Sequence, residues 1–339
     1  MLTRSLFFSA PYQVDIHETS IPKPEPGELL VKTLYSAISP GTELLVYRGQ
    51  APMDLPADEN IPSLDGALAY PLQYGYAAVG LVMDAGRDLS RDTLGKLVFS
   101  FQPHQTHFTL KPSQAIMLPV RIDPLAAVFL PNMETAVNFL MDGRPLIGER
   151  VAVFGQGIVG LLTTALLSRY PLGDLITLDI YPNRRAASQD AGATQVFDPS
   201  VEGPLDFVRG ADGVDLTYEL SGNPAALDQA IQVTGFGGRV VIGSWYGTKH
   251  AHLNLGGAFH RSRIQLISSQ VSTLAPALSG RWTKTRRFDL AWEMIRQVGP
   301  ECWITHTLPF RDAAKAYQLL DRHPEQTLQV VLDYSSERD

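Results

Sequence analysis

The chain has 339 residues, 45% of them hydrophobic and 19% charged, with a formal net charge of −7. That length suits two domains rather than one core, and the acidic balance carries no basic block. Nucleic acid and anionic membrane are therefore poor partners, because both need clustered Lys and Arg. No apolar stretch approaches the roughly 18 residues that span a bilayer. The run LFFSA near the start is too short for a signal peptide, and a cytoplasmic protein is expected. The one cysteine, Cys302, excludes an internal disulfide and any zinc site built on several thiolates. Within GPECWITHTLPF it reads as a buried packing residue.

The first 120 or so residues are β-type: ELLVKTLYSAIS, AAVGLVMDAG and KLVFSF are separated by Pro and Gly clusters. Ala51 to Tyr70 reads as a long irregular loop, of a length that is often functional. An apolar face at helical spacing begins near Asp123, in DPLAAVFLPNMETAVNFLMDG. From Arg150 strands and helices alternate: VAVFG, IVGLLTTALLSRY, LITLDI, NRRAASQDAGA, TQVFD, VDLTYELSG, PAALDQAIQVT and GRVVIGSW. This alternation predicts an α/β domain with a doubly wound parallel sheet. The tail from His306 to Tyr334 reads as one amphipathic helix and one strand, followed by an exposed charged end.

The run VAVFGQGIVG places Gly155, Gly157 and Gly160 between a buried strand and an apolar helix. G-x-G-x-x-G alone is a weak signal, but here the helix N-terminus would present backbone N–H groups to a pyrophosphate. Gly155 would allow the tight turn, Gly157 the approach of phosphate, and Gly160 the close packing of helix on strand. Gln156, Ile158 and Val159 complete the loop. Asp179 ends the next strand, 19 residues beyond Gly160, where an acid accepts hydrogen bonds from the adenosine ribose. Its carboxylate would repel a 2′-phosphate, so NAD is favoured over NADP. Arg184 and Arg185 just downstream could clamp such a phosphate, but read more simply as exposed charges on a helix.

These residues, with SAISPGTELLVYRG, YPLQYGYAAVGLVMDAG, GVDLTYELSGNPAALDQAI, GGRVVIGSWYG and FRDAAKAYQLLDRHPEQTLQVVLDY, occur in the order seen in the medium-chain dehydrogenase/reductase superfamily. The chain resembles that zinc alcohol dehydrogenase-like family over nearly its whole length. The resemblance implies a GroES-like β-barrel domain over 1–123 and 300–339, a Rossmann domain over 124–299, and an active site in the cleft between them. It also implies Ser221, Gly243 and Ser244 as further cofactor contacts, and a homodimer or homotetramer.

The departures from the family pattern carry more information. Pro40 stands where zinc-dependent members have a cysteine ligand, and Tyr76 and Ala77 follow Gly75 where they have His and Glu. Only Asn132 and Glu134 remain as polar groups near a third ligand position. Zinc needs about four converging donors, so neither a catalytic nor a structural zinc is expected. Without metal, side chains must handle the oxygen and its proton. Tyr76 is the first candidate, with Thr42, Glu43 and Glu134 beside it; packing is an equal reading for Tyr76, and a structural one for Glu43. His104 and His107 are weaker candidates. Arg261, Arg263, Arg281, Lys284, Arg286 and Arg287 read as a solvated basic face, with contact to an anionic substrate group or a neighbouring subunit as the alternative.

The leading expectation is a zinc-independent, NAD(H)-dependent oxidoreductase interconverting an alcohol and a carbonyl of a small-molecule substrate. The pair ISPGTE and YPLQYGY is similar to bacteriochlorophyllide hydroxyethyl dehydrogenases, which hints at a bulky secondary alcohol. Alternatives are a quinone or enoyl reductase of the same superfamily and a non-catalytic NAD(H)-binding sensor.

Overall fold

Strands β1 (Leu2–Ala10) and β2 (Gln13–Ser20) pair antiparallel with each other. After them come β3 (Leu29–Ala37), helix α1 (Pro40–Tyr47), β4 (Ala78–Ala85), β5 (Leu97–Ser100), β6 (His107–Leu110), β7 (Ile116–Met117) and the single turn α2 (Pro124–Ala127). The chain continues through α3 (Leu130–Gly143), β8 (Arg150–Phe154), α4 (Ile158–Leu167), β9 (Asp174–Leu178), α5 (Pro182–Asp190) and β10 (Gln195–Phe197). Next are β11 (Val214–Glu219), α6 (Pro224–Val233), β12 (Thr234–Ile242), β13 (Gln265–Ser268) and α7 (Lys284–Val298). The last elements are β14 (Ile304–Pro309), α8 (Ala313–Arg322) and β15 (Gln329–Asp333). This computed structural model describes residues 2–58, 60–201 and 212–337.

Two units divide the chain, residues 1–131 with 299–339, and residues 132–298. In the first, the sheet order is β14-β15-β3-β4-β5-β7, with β6 also on β3. Its pairings are antiparallel except β14 with β15. Leu6, Phe8, Leu44, Leu45, Tyr47, Tyr317 and Leu332 belong to one buried cluster of this unit. Helix α8 joins it because Ala313, Ala316, Tyr317 and Leu320 recur at helical spacing on one buried face.

In the second unit six parallel strands run in the order β10-β9-β8-β11-β12-β13. The chain starts this sheet at β8, between β9 and β11, so the strand order reverses there and opens a crevice at the carboxyl ends. Val151 to Phe154 are buried throughout, as a strand covered on both faces requires. Asn223 caps α6 by accepting from the Ala225 N–H, with Pro224 in the first turn.

Several details differ from the sequence reading. Pro40–Tyr47 is helical, because Pro40 pre-sets the first turn and the apolar residues Leu44, Leu45, Val46 and Tyr47 are all buried. The helix expected from Asp123 is two: Pro131 has no N–H to continue the ladder, and α2 ends before it. The unit boundary falls at 131/132 instead of 123/124, since α2 packs on β3. The tail holds a second strand, β14, and its end is not uniformly exposed: Glu337 is buried and pairs with Arg4 at 2.5 Å, while 338 and 339 lie outside the described residues. Cys302 is exposed, not a packing residue, and partial burial together with Glu301 pushes its thiol up, away from a reactive thiolate. No described helix is long and apolar enough to cross a membrane.

Candidate functional site

The glycine loop joins β8 to α4. Gly155 has φ +89°, a backbone that disfavours any other residue, and a Cβ there would lie 2.5 Å from the Ser221 Cα. A Cβ on Gly160 would lie 1.9 Å from the Gly155 carbonyl oxygen, so glycine alone permits this helix packing. Gly157 differs: the nearest atom to an added Cβ is the Arg184 Nη1 at 3.9 Å, which leaves the backbone open to a ligand. Gly157 also caps α4 with no side chain, so the first-turn N–H groups of Ile158, Val159 and Gly160 have no side-chain partner there. An open approach, an uncapped helix N-terminus and a nearby acid fit a dinucleotide pyrophosphate and ribose.

Asp179 is buried beside this loop. Its Oδ2 accepts the Gln156 N–H at 2.7 Å, and its Oδ1 accepts the Tyr181 N–H at 2.9 Å. Arg185 donates to the Asp179 carbonyl and to Asp198. Arg184 lies over the Tyr181 ring with Nη1 3.9 Å from Asp179 Oδ2. Both arginines are thus engaged with carboxylates, rather than standing as free exposed charges. At the ends of β11 and β12, Ser221 donates through its N–H to Glu219, and Ser244 Oγ accepts the Gly222 N–H at 2.9 Å. Gly243 is required by packing, since a Cβ would come within 2.3 Å of the Phe139 ring.

In the first unit Tyr76 follows Gly75, whose φ is +117° and whose added Cβ would strike the His104 ring at 2.7 Å. Tyr76 Oη donates to Ser39 Oγ at 2.5 Å and lies 3.3 Å from Thr42 Oγ1. Burial pushes the Tyr76 phenol up to about 12, against the lowering pull of the Ser39 and Thr42 hydroxyls. Glu43 is fully buried one residue after Thr42. Its Oε1 accepts the Ser39 N–H at 2.7 Å; its Oε2 accepts from Tyr317 Oη and from His104 Nε2, the latter at 3.0 Å. His104 Nδ1 meets Ser36 Oγ at 2.7 Å, and Ser36 meets Tyr334 Oη at 2.8 Å. Glu43 and His104 therefore bind protein groups and hold the cluster; neither is open to a substrate. His107 is buried as well, against Thr106 and Thr3.

Glu134 has a different partner. It lies on α3 in the second unit, where Arg287 Nε and Nη2 donate to its Oε1 at 3.0 and 2.8 Å. Burial pushes the Glu134 carboxyl up, and the Arg287 guanidinium pulls against that shift. Arg287 also donates to Asn138 Oδ1 at 2.6 Å and to the carbonyls of Val271 and Thr273. Of the basic group, Arg261, Arg263, Arg281, Lys284 and Arg286 are exposed, but Arg287 is wholly buried. The solvated-face reading fails for that one residue. Asn132 is buried in the first turn of α3.

A sequence model of the zinc-binding dehydrogenase family matches residues 159–288. D-guloside 3-dehydrogenase of Escherichia coli (strain K12) is 22% identical over 328 residues, 91% of this chain and 93% of that protein. The 2-desacetyl-2-hydroxyethyl bacteriochlorophyllide A dehydrogenase of Cereibacter sphaeroides is 22% identical over 361 residues, 98% of this chain and 99% of that protein. The structure of a short chain alcohol dehydrogenase from E. coli CFT073 complexed with NADH shares the fold at a TM-score of 0.80. It is 20% identical and covers 98% of this chain and 99% of that one. Over most of its length the chain is similar to zinc-binding alcohol dehydrogenase-like proteins, and it shares their fold. These relatives are dehydrogenases, and the likeness to the guloside and bacteriochlorophyllide enzymes runs over nine-tenths or more of both chains.

The family match falls within the second unit and does not reach Pro40, Tyr76 or Ala77. Among the described residues no three His, Cys, Asp or Glu side chains converge as a metal site. Pro40 and Ala77 have no donor atom, and the nearby Glu43 and His104 are spent on each other, so the donor set does not fit zinc. The sequence reading did not single out Ser39, Ser36, Tyr317, Tyr334 or Glu219. Glu219 is buried at the end of β11, where it accepts from Ser221 and Tyr246. An N-cap serine before Pro-Gly was the one local signal for Ser39.

Proposed function

We propose that this protein is a zinc-independent, NAD(H)-dependent oxidoreductase that interconverts an alcohol and a carbonyl. The observation that carries the reading is the Tyr76 phenol, held by Ser39 and Thr42 hydroxyls where zinc-dependent relatives place a metal ligand. A phenol pushed up to about 12 stays protonated at neutral pH and can donate to a carbonyl oxygen as negative charge develops on it. Bound nicotinamide would supply or accept the hydride. The loop Gly155, Gln156, Gly157, Ile158, Val159 and Gly160 would hold the pyrophosphate, with Asp179 at the ribose. Ser221, Gly243 and Ser244 would line the remainder.

NAD(H) is favoured because Asp179 directly follows β9 and its carboxylate, with Asp198, engages the neighbouring arginines. Within this reading Thr42 assists Tyr76, whereas Glu43 and Glu134 hold structure around the chemistry. The reading also includes a cytoplasmic homodimer or homotetramer acting on a small molecule.

The test uses protein dialysed against chelator, with metal content measured. It is assayed with NAD and NADP on secondary alcohols and polyols, and with NADH and NADPH on ketones, quinones and enones. Turnover with NAD(H) on alcohols or ketones, unchanged by chelation, is expected. Activity lost on chelation and restored by zinc contradicts the reading. Preference for NADPH with enones or quinones would instead mark a quinone or enoyl reductase, and tight NADH binding without turnover a sensor.

A further inference from the structure

Ser39 stands at the N-cap of α1, where a serine hydroxyl ordinarily accepts a first-turn N–H. Its side chain makes no such bond. The hydroxyl instead receives Tyr76 Oη at 2.5 Å, while the Ser39 N–H goes to Glu43 Oε1 at 2.7 Å. Glu43, one position beyond the N3 residue of a capping box, reaches back to the N-cap N–H, and the serine hydroxyl goes to Tyr76 instead. Glu43 cannot swing away, because Tyr317 and His104 hold its other oxygen. Ser39 is buried, so its hydroxyl has little competition from water.

We propose that Ser39 is a positioning residue for Tyr76: its hydroxyl, fixed through Glu43, aims the phenol and stabilises the phenolate that remains after proton donation. This rests on the reading that Tyr76 handles the substrate proton. In the step, the Tyr76 Oη–H bond breaks and the proton moves to the substrate oxygen. A hydroxyl can donate as well as accept, so Ser39 Oγ–H rotates to donate to the phenolate. Tyr76 regains its proton from water after reduction, or from the alcohol itself when the reaction runs in reverse. Thr42, at 3.3 Å, makes a weaker second contact.

Placing 2,3,5-trifluorotyrosine at position 76 brings the phenol titration down into an accessible pH range, and its ¹⁹F shift reports the midpoint without substrate or cofactor. Ser39→Ala is expected to raise the midpoint by about one pH unit, because a hydrogen bond to a charged group is lost. Ser39→Thr is expected to restore it, and Thr42→Ala to move it less. In hydride transfer, Ser39→Ala is expected to lower kcat about tenfold with KM unchanged. Since the hydroxyl caps no helix, the melting temperature should stay nearly constant. If Ser39→Ala does not fold, Ser39→Cys takes its place, and its weaker donor should still raise the midpoint. An unmoved midpoint overturns the proposal even if Tyr76→Phe slows transfer. If Tyr76→Phe leaves transfer unchanged, the function assigned to Tyr76 falls first, and the catalytic role of Ser39 with it.

Discussion

Two buried carboxylates, Glu43 in the first unit and Glu134 in the second, are satisfied in opposite ways. Glu43 is surrounded by donors without a guanidinium or ammonium: one backbone N–H, a tyrosine and a histidine. Glu134 faces Arg287, which is itself wholly buried and also donates to Asn138 and to two carbonyls. A carboxylate ringed by O–H and N–H groups fixes the positions of small side chains around it. A buried ion pair ties long segments together, here α3 to α7, and the same guanidinium holds the stretch after β13 through two carbonyls. Both acids hold structure, whereas the phenol of Tyr76 is half-buried and is the group proposed to meet a substrate oxygen.

The contrast predicts unequal losses. Arg287→Met should cost the most, about 3–5 kcal/mol in denaturant unfolding, because it leaves the Glu134 charge buried without its partner. Adding Glu134→Leu should recover much of that loss; a double variant as weak as the single one would break the comparison. Glu43→Ala should cost less, about 1–3 kcal/mol, since a backbone N–H, a tyrosine and a histidine lose an acceptor but no guanidinium is left buried without its partner.

A second contrast, between groups that hold and groups that touch, lies inside the glycine loop. Gly160→Ala forces a Cβ to 1.9 Å from a carbonyl oxygen and should lower the melting temperature by several degrees. Gly157→Ala meets only Arg184 Nη1 at 3.9 Å. It should leave melting nearly unchanged while weakening NADH binding, read by the fluorescence of bound NADH.

The tyrosines set an alkaline limit. Burial raises Tyr74, Tyr76, Tyr218, Tyr317 and Tyr334 above their ordinary value. Each group's contribution is fully present below about pH 10, where the unfolded phenol titrates. It is lost as pH rises through the folded value, about 12 for Tyr76, because the unfolded state releases its proton first. Melting temperature should therefore fall above pH 10, and Tyr76→Phe should blunt that fall slightly.

The second unit was legible in the sequence for local reasons. Gly155 to Gly160 and Asp179 lie within 25 residues, and the alternation of strand and helix periods points to a parallel sheet, though not to its strand order. The first unit's cluster was not, because it joins residues far apart: Ser36 and Tyr334 meet across 298 positions, and Glu43 and Tyr317 across 274. No spacing rule marks such a pair. Arg287 escaped for the same reason. It sits among exposed cations in sequence, and only its 153-residue return to Glu134 distinguishes it. The departures from the zinc-dependent pattern at Pro40, Tyr76 and Ala77 were readable residue by residue, whereas the hydroxyls that surround Tyr76 needed α1 to exist.

The most direct test of the account is hydride transfer by Tyr76→Phe in metal-free protein, with NADH and the ketone that turns over fastest. A fall in kcat of about 10²- to 10⁴-fold is predicted, with NADH affinity and melting temperature unchanged. An undiminished rate, or one that zinc restores, would contradict it.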